Sequence, residues 1–247
     1  MYQRETGLRV FVDRLLVRSD LTQGEQLALL GLKTREAVVP AGRDLRRYGE
    51  ESAYAAVILT GVVGRYHQAK DGRRNFVALH LPGDMADLCT TVLKDVSFGL
   101  EAMTDVTVEL VAKADLLALA HLYQAIFEAF WRDCVADTLL IAQHVVRVAG
   151  LSARSKLAHL ICEMAYRLSV SPHRPCLQFN LGLTQSQLGE FLGLTAVHVN
   201  RMIREIRDIG LAKVDRKGVS IDDWLGLKRL GEFNPKYLSI IQVSDQV

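Results

Sequence analysis

The sequence predicts an α+β protein: an N-terminal antiparallel β-barrel or jelly roll, a long helix for self-association, and a C-terminal winged helix-turn-helix. Three observations predict it. Short apolar runs punctuated by glycine fill residues 38–119, an apolar stripe at heptad spacing runs from Phe127 to Val148, and helix–turn–helix spacing occupies Gln185–Arg204. The expected division is a barrel over 1–121, the long helix over 122–150 and the winged domain over 151–247.

The barrel is read from its strands and turns. Ala55–Leu59, Val62–His67, Phe76–Leu81, Val106–Val111 and Leu116–Leu119 are candidate strands. Asp71-Gly72 is a hairpin signal in which both turn positions would take positive φ. Pro82-Gly83-Asp84 closes the strand that follows it. Many short strands separated by turns point to an antiparallel barrel or jelly roll.

The long helix is read from periodicity. Phe127, Trp131, Cys134, Thr138, Ile141, Val145 and Val148 recur at alternating spacings of four and three, the stripe of a helix that packs along another helix. The alternative is a helix lying on its own domain. Gly150 interrupts the stripe, and Ser152–Leu168 reads as a second amphipathic helix with Leu157, Leu160, Ile161 and Met164 on one face. Ser169–Pro175, with two prolines, reads as a linker.

The winged domain carries the most specific pattern. A first short helix, Gln185–Leu192, would bury Leu188 and Leu192, with Gly189 allowing a close crossing. Gly193 would supply the positive-φ turn residue. Thr195 is the expected N-cap of the second helix, anchored by Val199, Met202 and Ile206. The outward face then holds Ala196, Val197, Asn200, Arg201 and Arg204, with His198 beside them. In a major groove Arg201 suits guanine, Asn200 suits adenine or a phosphate, and Val197 suits a thymine methyl. Six basic residues against three acidic ones between Thr195 and Lys217 agree with that reading. Strands on either side of Asp215-Arg216-Lys217-Gly218 would form a wing, with Arg216 and Lys217 at its tip for phosphate contact.

Bulk properties set the remaining bounds. The 247 residues are 49% apolar and 23% charged, the composition of a globular chain with a core. No run of 18 apolar residues exists and no apolar signal segment follows Met1–Glu5, so the cytoplasm is expected and a membrane is not. The net charge of +2 decides little, because the charge of a nucleic-acid binder sits on one face. Cys89, Cys134, Cys162 and Cys176 are scattered without a CxxC pair and read as structural thiols.

The order barrel, long helix and winged helix-turn-helix resembles the cyclic-AMP receptor protein/FNR (Crp/Fnr) family of bacterial transcription regulators. The resemblance covers nearly the whole chain. It rests on Asp71-Gly72-Arg73-Arg74, Leu81-Pro82-Gly83-Asp84, Leu183-Thr184-Gln185, the run Gly193–Arg201, and the ending Phe233-Asn234-Pro235-Lys236-Tyr237-Leu238. It implies a cyclic-nucleotide-binding-like barrel and a homodimer on a palindromic double-stranded DNA site, with RNA polymerase as a candidate partner. It also implies DNA contact by Val197, Asn200 and Arg201, supported on the backbone by Thr184 and Ser186.

An effector pocket would by this likeness draw on Asp84, Ser97 and Ile141. The pattern departs from the cyclic-AMP-binding members, however. Val96 stands where they place an arginine, Asp95 and Glu101 would repel a phosphate, and Ile141-Ala142 replaces a Thr-Ser pair. Cyclic nucleotide is therefore not expected. Neither is an iron–sulfur cluster, since no cysteine precedes Cys89, nor haem, for which His67, His80 and Cys89 are weak ligands. Val197 departs from the glutamate common in the family's recognition helix, so no DNA sequence is transferred. The rival readings are a cupin-like barrel enzyme, which would need an HxH metal cluster that is absent here, and an effector-binding adaptor that does not bind DNA. No catalytic or metal site is expected.

Overall fold

The computed structural model describes residues 7–93, 96–169, 174–215 and 218–238. They form two compact units, one built on residues up to Arg74 and Ala78–Leu139, the other on Asn75–Val77 and Leu140–Leu238. The division falls inside the long helix.

The first unit opens with two helices, α1 (Leu8–Leu16) and α2 (Gln23–Leu30), which the periodicity reading left unassigned. The signal was there: Leu8, Phe11, Val12 and Leu15 follow helical spacing and are all buried. Thr22 and Glu25 form a reciprocal capping box at the start of α2. Strands β1 (Thr34–Val39), β2 (Asp44–Arg46), β3 (Tyr54–Thr60), β4 (Val63–Gln68), β5 (Arg74–His80), β6 (Gly99–Ala102) and β7 (Val106–Ala112) follow. They make two antiparallel sheets, ordered β1-β7-β3 and β2-β6-β4-β5. The arrangement is jelly-roll-like rather than a closed barrel. Ile58, Val63, Leu100, Ala102, Val106 and Val108 fill one apolar cluster of this unit.

Two local expectations need correction. The hairpin at Asp71-Gly72 places only Gly72 at positive φ (84°). The Ala69 N–H bonds the Arg73 carbonyl at 2.9 Å and the Gly72 N–H bonds the Ala69 carbonyl at 2.9 Å. That is a three-residue loop, which needs a left-handed residue only at its end. The candidate strand Leu116–Leu119 is instead part of a helix, α3 (Lys113–Leu122). Its Ala- and Leu-rich stretch lacks β-branched residues, and buried Leu116, with Leu119 and Ala120 packed beside it, anchors it.

The long helix α4 spans Gln124–Gly150. Ile126, Ala129 and Phe130 are buried with Phe11, Leu15 and Leu116. Phe127, Trp131, Val135, Leu139, Val145 and Val146 are exposed along α4, Trp131 at 64%. No described helix is long and apolar enough to cross a membrane.

In the second unit α5 (Ala153–Arg167), β8 (Gln178–Phe179), α6 (Gln185–Leu192), α7 (Ala196–Asp208), β9 (Ala212–Asp215), β10 (Gly218–Ile221) and α8 (Trp224–Leu230) follow the end of α4. Ser152 caps α5, whose Leu157, Leu160, Ile161 and Met164 are buried together as the pattern required. The wing gains a strand that the sequence reading missed, in the order β8-β10-β9. Two residues are too few to show a period.

Candidate nucleic-acid interface

Local chemistry fixes both helices of the motif. Thr184 caps α6: the Gln187 N–H donates to Thr184 Oγ1 at 3.2 Å, and the Thr184 N–H donates to Gln187 Oε1 at 2.8 Å. The hydroxyl itself donates to Gln187 Oε1 at 3.0 Å, so this residue is engaged in capping at the exposed helix start. Ser186 is exposed and donates to Glu190 Oε1 at 3.3 Å.

The turn is set by two glycines. Gly193 adopts φ 66°, the left-handed region in which a Cβ is costly. At Gly189 a Cβ would stand 2.6 Å from the Leu194 carbonyl oxygen. The neighbour that forbids a side chain there is the turn, which the Leu194 N–H closes by bonding the Gly189 carbonyl at 2.8 Å.

Thr195 then caps α7, accepting the His198 N–H at 3.2 Å. Val199, Met202, Ile203 and Ile206 form its buried face. Of the residues the spacing placed outward, Ala196, Val197, His198, Arg201 and Arg204 are exposed, Val197 at 78%. Asn200 is half-buried, because its Nδ2 donates to Gln185 Oε1 at 3.0 Å. Gln185 was not singled out by sequence reasoning, since a contact fifteen residues away leaves no periodic trace.

Gln185, Ala196, Val197, Asn200, Arg201 and Arg204 line one concave surface of about 470 Å³. It holds two guanidinium groups and no carboxylate. A second groove, about 790 Å³, runs beside it between α6, α7 and the β9–β10 hairpin, and includes Thr184, Arg204 and Arg207. Arg201 Nε lies 3.8 Å from Glu205 Oε1, and Arg154 Nη1 lies 3.8 Å from Glu205 Oε2. Exposed pairs at that distance hold their partners weakly, so Arg201 can exchange Glu205 for another acceptor at little cost. Arg216 and Lys217 fall outside the described residues.

Of the expected effector residues, Asp84 and Ser97 belong to the first unit and Ile141 to the second. Asp84 is buried in the turn that follows β5, where Oδ2 accepts the Leu81 N–H at 2.9 Å and Oδ1 meets Arg14 Nε at 3.2 Å. Ser97 is exposed, and Ile141 lies half-buried on α4 in the second unit. Sequence reasoning missed a buried cluster in the first unit. The guanidinium carbons of Arg46 and Arg65 sit 4.2 and 4.5 Å from the centre of the Phe98 ring. Arg65 Nη1 pairs with Asp137 at 2.6 Å, and its Nη2 donates to the Ala86 carbonyl. Arg46 faces Asp87 at 3.8 Å, and burial lowers its affinity for a proton.

Burial pushes the Cys134 and Cys162 thiols up to about 12, which keeps both protonated at neutral pH. Among the described residues no three His, Cys, Asp or Glu side chains cluster as metal ligands.

Comparison with known proteins agrees with this architecture. Residues 155–230 match the family model of the Crp-like helix-turn-helix domain. The chain is 23% identical to an anaerobic regulatory protein of Haemophilus influenzae, over 94% of this chain and 90% of that protein. It is 24% identical to the nitrogen fixation regulation protein FixK of Azorhizobium caulinodans, over 70% of each. Among solved structures, FixK2 from Bradyrhizobium japonicum superimposes with a TM-score of 0.71 at 23% identity, covering 81% of this chain and 98% of that one.

Proposed function

This chain belongs to the Crp/Fnr family, and from that premise we propose that it is a homodimeric, sequence-specific DNA-binding regulator of transcription and not an enzyme. One observation carries the reading. The outward face of α7 joins an exposed Val197 to Arg201 and Arg204 over a concave surface without a carboxylate, while its opposite face is wholly apolar. A helix so anchored presents its polar edge to a major groove, where the arginines meet guanine or phosphate.

The apolar residues exposed along α4 support dimerisation, because an unpaired run of large side chains on a helix gains most by meeting its own copy. Two copies would then address half-sites about one DNA turn apart. RNA polymerase would be recruited or blocked according to where the site lies, and the cytoplasm is the compartment in which this happens. Control by cyclic nucleotide is not proposed, since Val96 is apolar, Ser97 is exposed, and Arg65 is already engaged by Asp137.

Selection from a random duplex library, followed by titration of the enriched site at several salt concentrations, tests the reading. A palindromic site, affinity that falls steeply with salt, and specificity relaxed in Arg201→Ala are the expected results. A library without an enriched site overturns it.

A further inference from the structure

We propose that Gln185 and Asn200 act as one base-reading unit, that this unit selects adenine in each half-site, and that Gln185 is a specificity-determining residue although it belongs to the other helix of the motif. The proposal rests on the DNA-binding reading above and adds to it the identity of one base.

The hydrogen-bond inventory of the pair leads there. Each side-chain amide owns two N–H donors and one carbonyl oxygen. The bond from Asn200 Nδ2 to Gln185 Oε1, at 3.0 Å, uses one donor of the first and the oxygen of the second. Asn200 keeps Oδ1 as an acceptor and one Nδ2 hydrogen, and Gln185 keeps both Nε2 hydrogens, so the pair sets an acceptor beside a donor. If both amides were turned over, the roles would exchange and the pair would still offer one of each. Adenine alone presents the complementary edge in the major groove, an N6–H donor beside the N7 acceptor. Both residues line the same concave surface, with Gln185 at its exposed edge.

The neighbours argue against cytosine and guanine. A cytosine N4–H calls for a carboxylate, and the surface has none. Guanine offers two acceptors, which suit Arg201 and leave Asn200 Oδ1 facing an oxygen. The internal bond also holds Asn200 in one orientation before DNA arrives, so less side-chain freedom is lost on binding. Gln185 thereby does two things: it orients Asn200 and supplies the second arm of the contact.

The test uses the full chain and the duplex library, with melting temperature confirming that each variant folds. Gln185 is the first residue of α6, a position that tolerates alanine. Wild type should prefer adenine at one position of each half-site by about ten-fold or more, the usual scale for a two-bond contact. Gln185→Ala and Asn200→Ala should each relax that same position to under about two-fold, and the double variant should lose little more, as expected of residues acting together. Gln185→Glu keeps the acceptor for Asn200 but removes the outward donor, so the preference should move from adenine towards cytosine. A purely structural role for Gln185 would not move the preferred base. The proposal is overturned if Gln185→Ala weakens all sequences equally and leaves the base at that position unchanged, while the enriched site keeps the DNA-binding reading intact. A wild-type library with no enriched site overturns both.

Discussion

The imidazole of His144 stacks on the ring of Phe191, with centroids 4.1 Å apart and planes inclined by 22°. His144 lies in the last third of α4 and Phe191 in the first helix of the DNA-binding motif, so the end of the long helix is part of the core that carries that motif. Arg147, one turn on, forms a buried pair with Glu163 of α5 and also approaches Phe191. Val148 reaches the turn at Gly193.

Burial, and next the charge of Arg147, lower the His144 imidazole to about 4 from its ordinary 6.5. The unfolded chain therefore takes up a proton between pH 6.5 and 4 while the folded chain does not. Stability from this residue is complete above pH 6.5 and declines as pH falls towards 4, by at most about 3 kcal/mol. Asp133 acts oppositely: burial raises it to about 6 despite Arg18 at 3.0 Å, so its contribution declines as pH rises from about 4 to 6. Urea unfolding at pH 7 and pH 5 should show His144→Phe losing less stability on acidification than wild type, and Asp133→Asn losing more. Equal losses in all three would contradict the assignment.

Glu163 is surrounded by Arg147, Arg167 and the Tyr237 hydroxyl, which donates to Glu163 Oε2 at 2.7 Å. Burial alone would raise this carboxyl, but Arg147, then Arg167 and Tyr237, hold it below the usual carboxylate range. Glu163→Gln should cost about 3–5 kcal/mol in denaturant unfolding, since it leaves the Arg147 charge buried without its partner. Tyr237→Phe should cost about 1–3 kcal/mol, the loss of one hydrogen bond to a buried charge. A smaller penalty for Glu163→Gln than for Tyr237→Phe would show that the ion pair is not the centre of the network.

Gly189→Ala forces a Cβ against the Leu194 backbone oxygen, which has no flexible end to move aside. We expect about 1–3 kcal/mol of destabilisation and a marked loss of DNA affinity as α7 is displaced. Gly24→Ala is the control: its Cβ would meet nothing within 4 Å inside α2, and helix propensity should stabilise the chain by about 0.5–1 kcal/mol. Thermal melts compare the two directly.

Trp131→Asp places a charge in the exposed apolar run of α4 without touching its buried face. Sedimentation should show a monomer with far-ultraviolet dichroism unchanged, and affinity for a palindromic site should fall to that of a single half-site. A dimer that survives the substitution would move the interface elsewhere.

The motif that carries function was legible almost residue by residue. Thr184, Gly193 and Thr195 mark helix ends through hydrogen bonds and dihedral preferences that reach three or four residues, and the interval between them leaves room for one register only. Leu116–Leu119 misled because a short apolar run fits a strand or a helix equally well, and burial of Leu116 beneath α1 and α4 decided between them. The N-terminal helices were readable in the spacing of Leu8, Phe11, Val12 and Leu15, but the run is a single pair of turns.

By itself, then, the sequence determined the order of the three regions (short strands, long helix, winged motif), both helices of the motif and most of the outward face of α7, because each depends on periodicity and caps within a few residues. Only the tertiary structure decided that the strands lie in two sheets, that His144 stacks on Phe191, and that Gln185 holds Asn200. Those relations join residues far apart in the chain, and it is the packing of whole elements, not any local preference, that brings such side chains within reach.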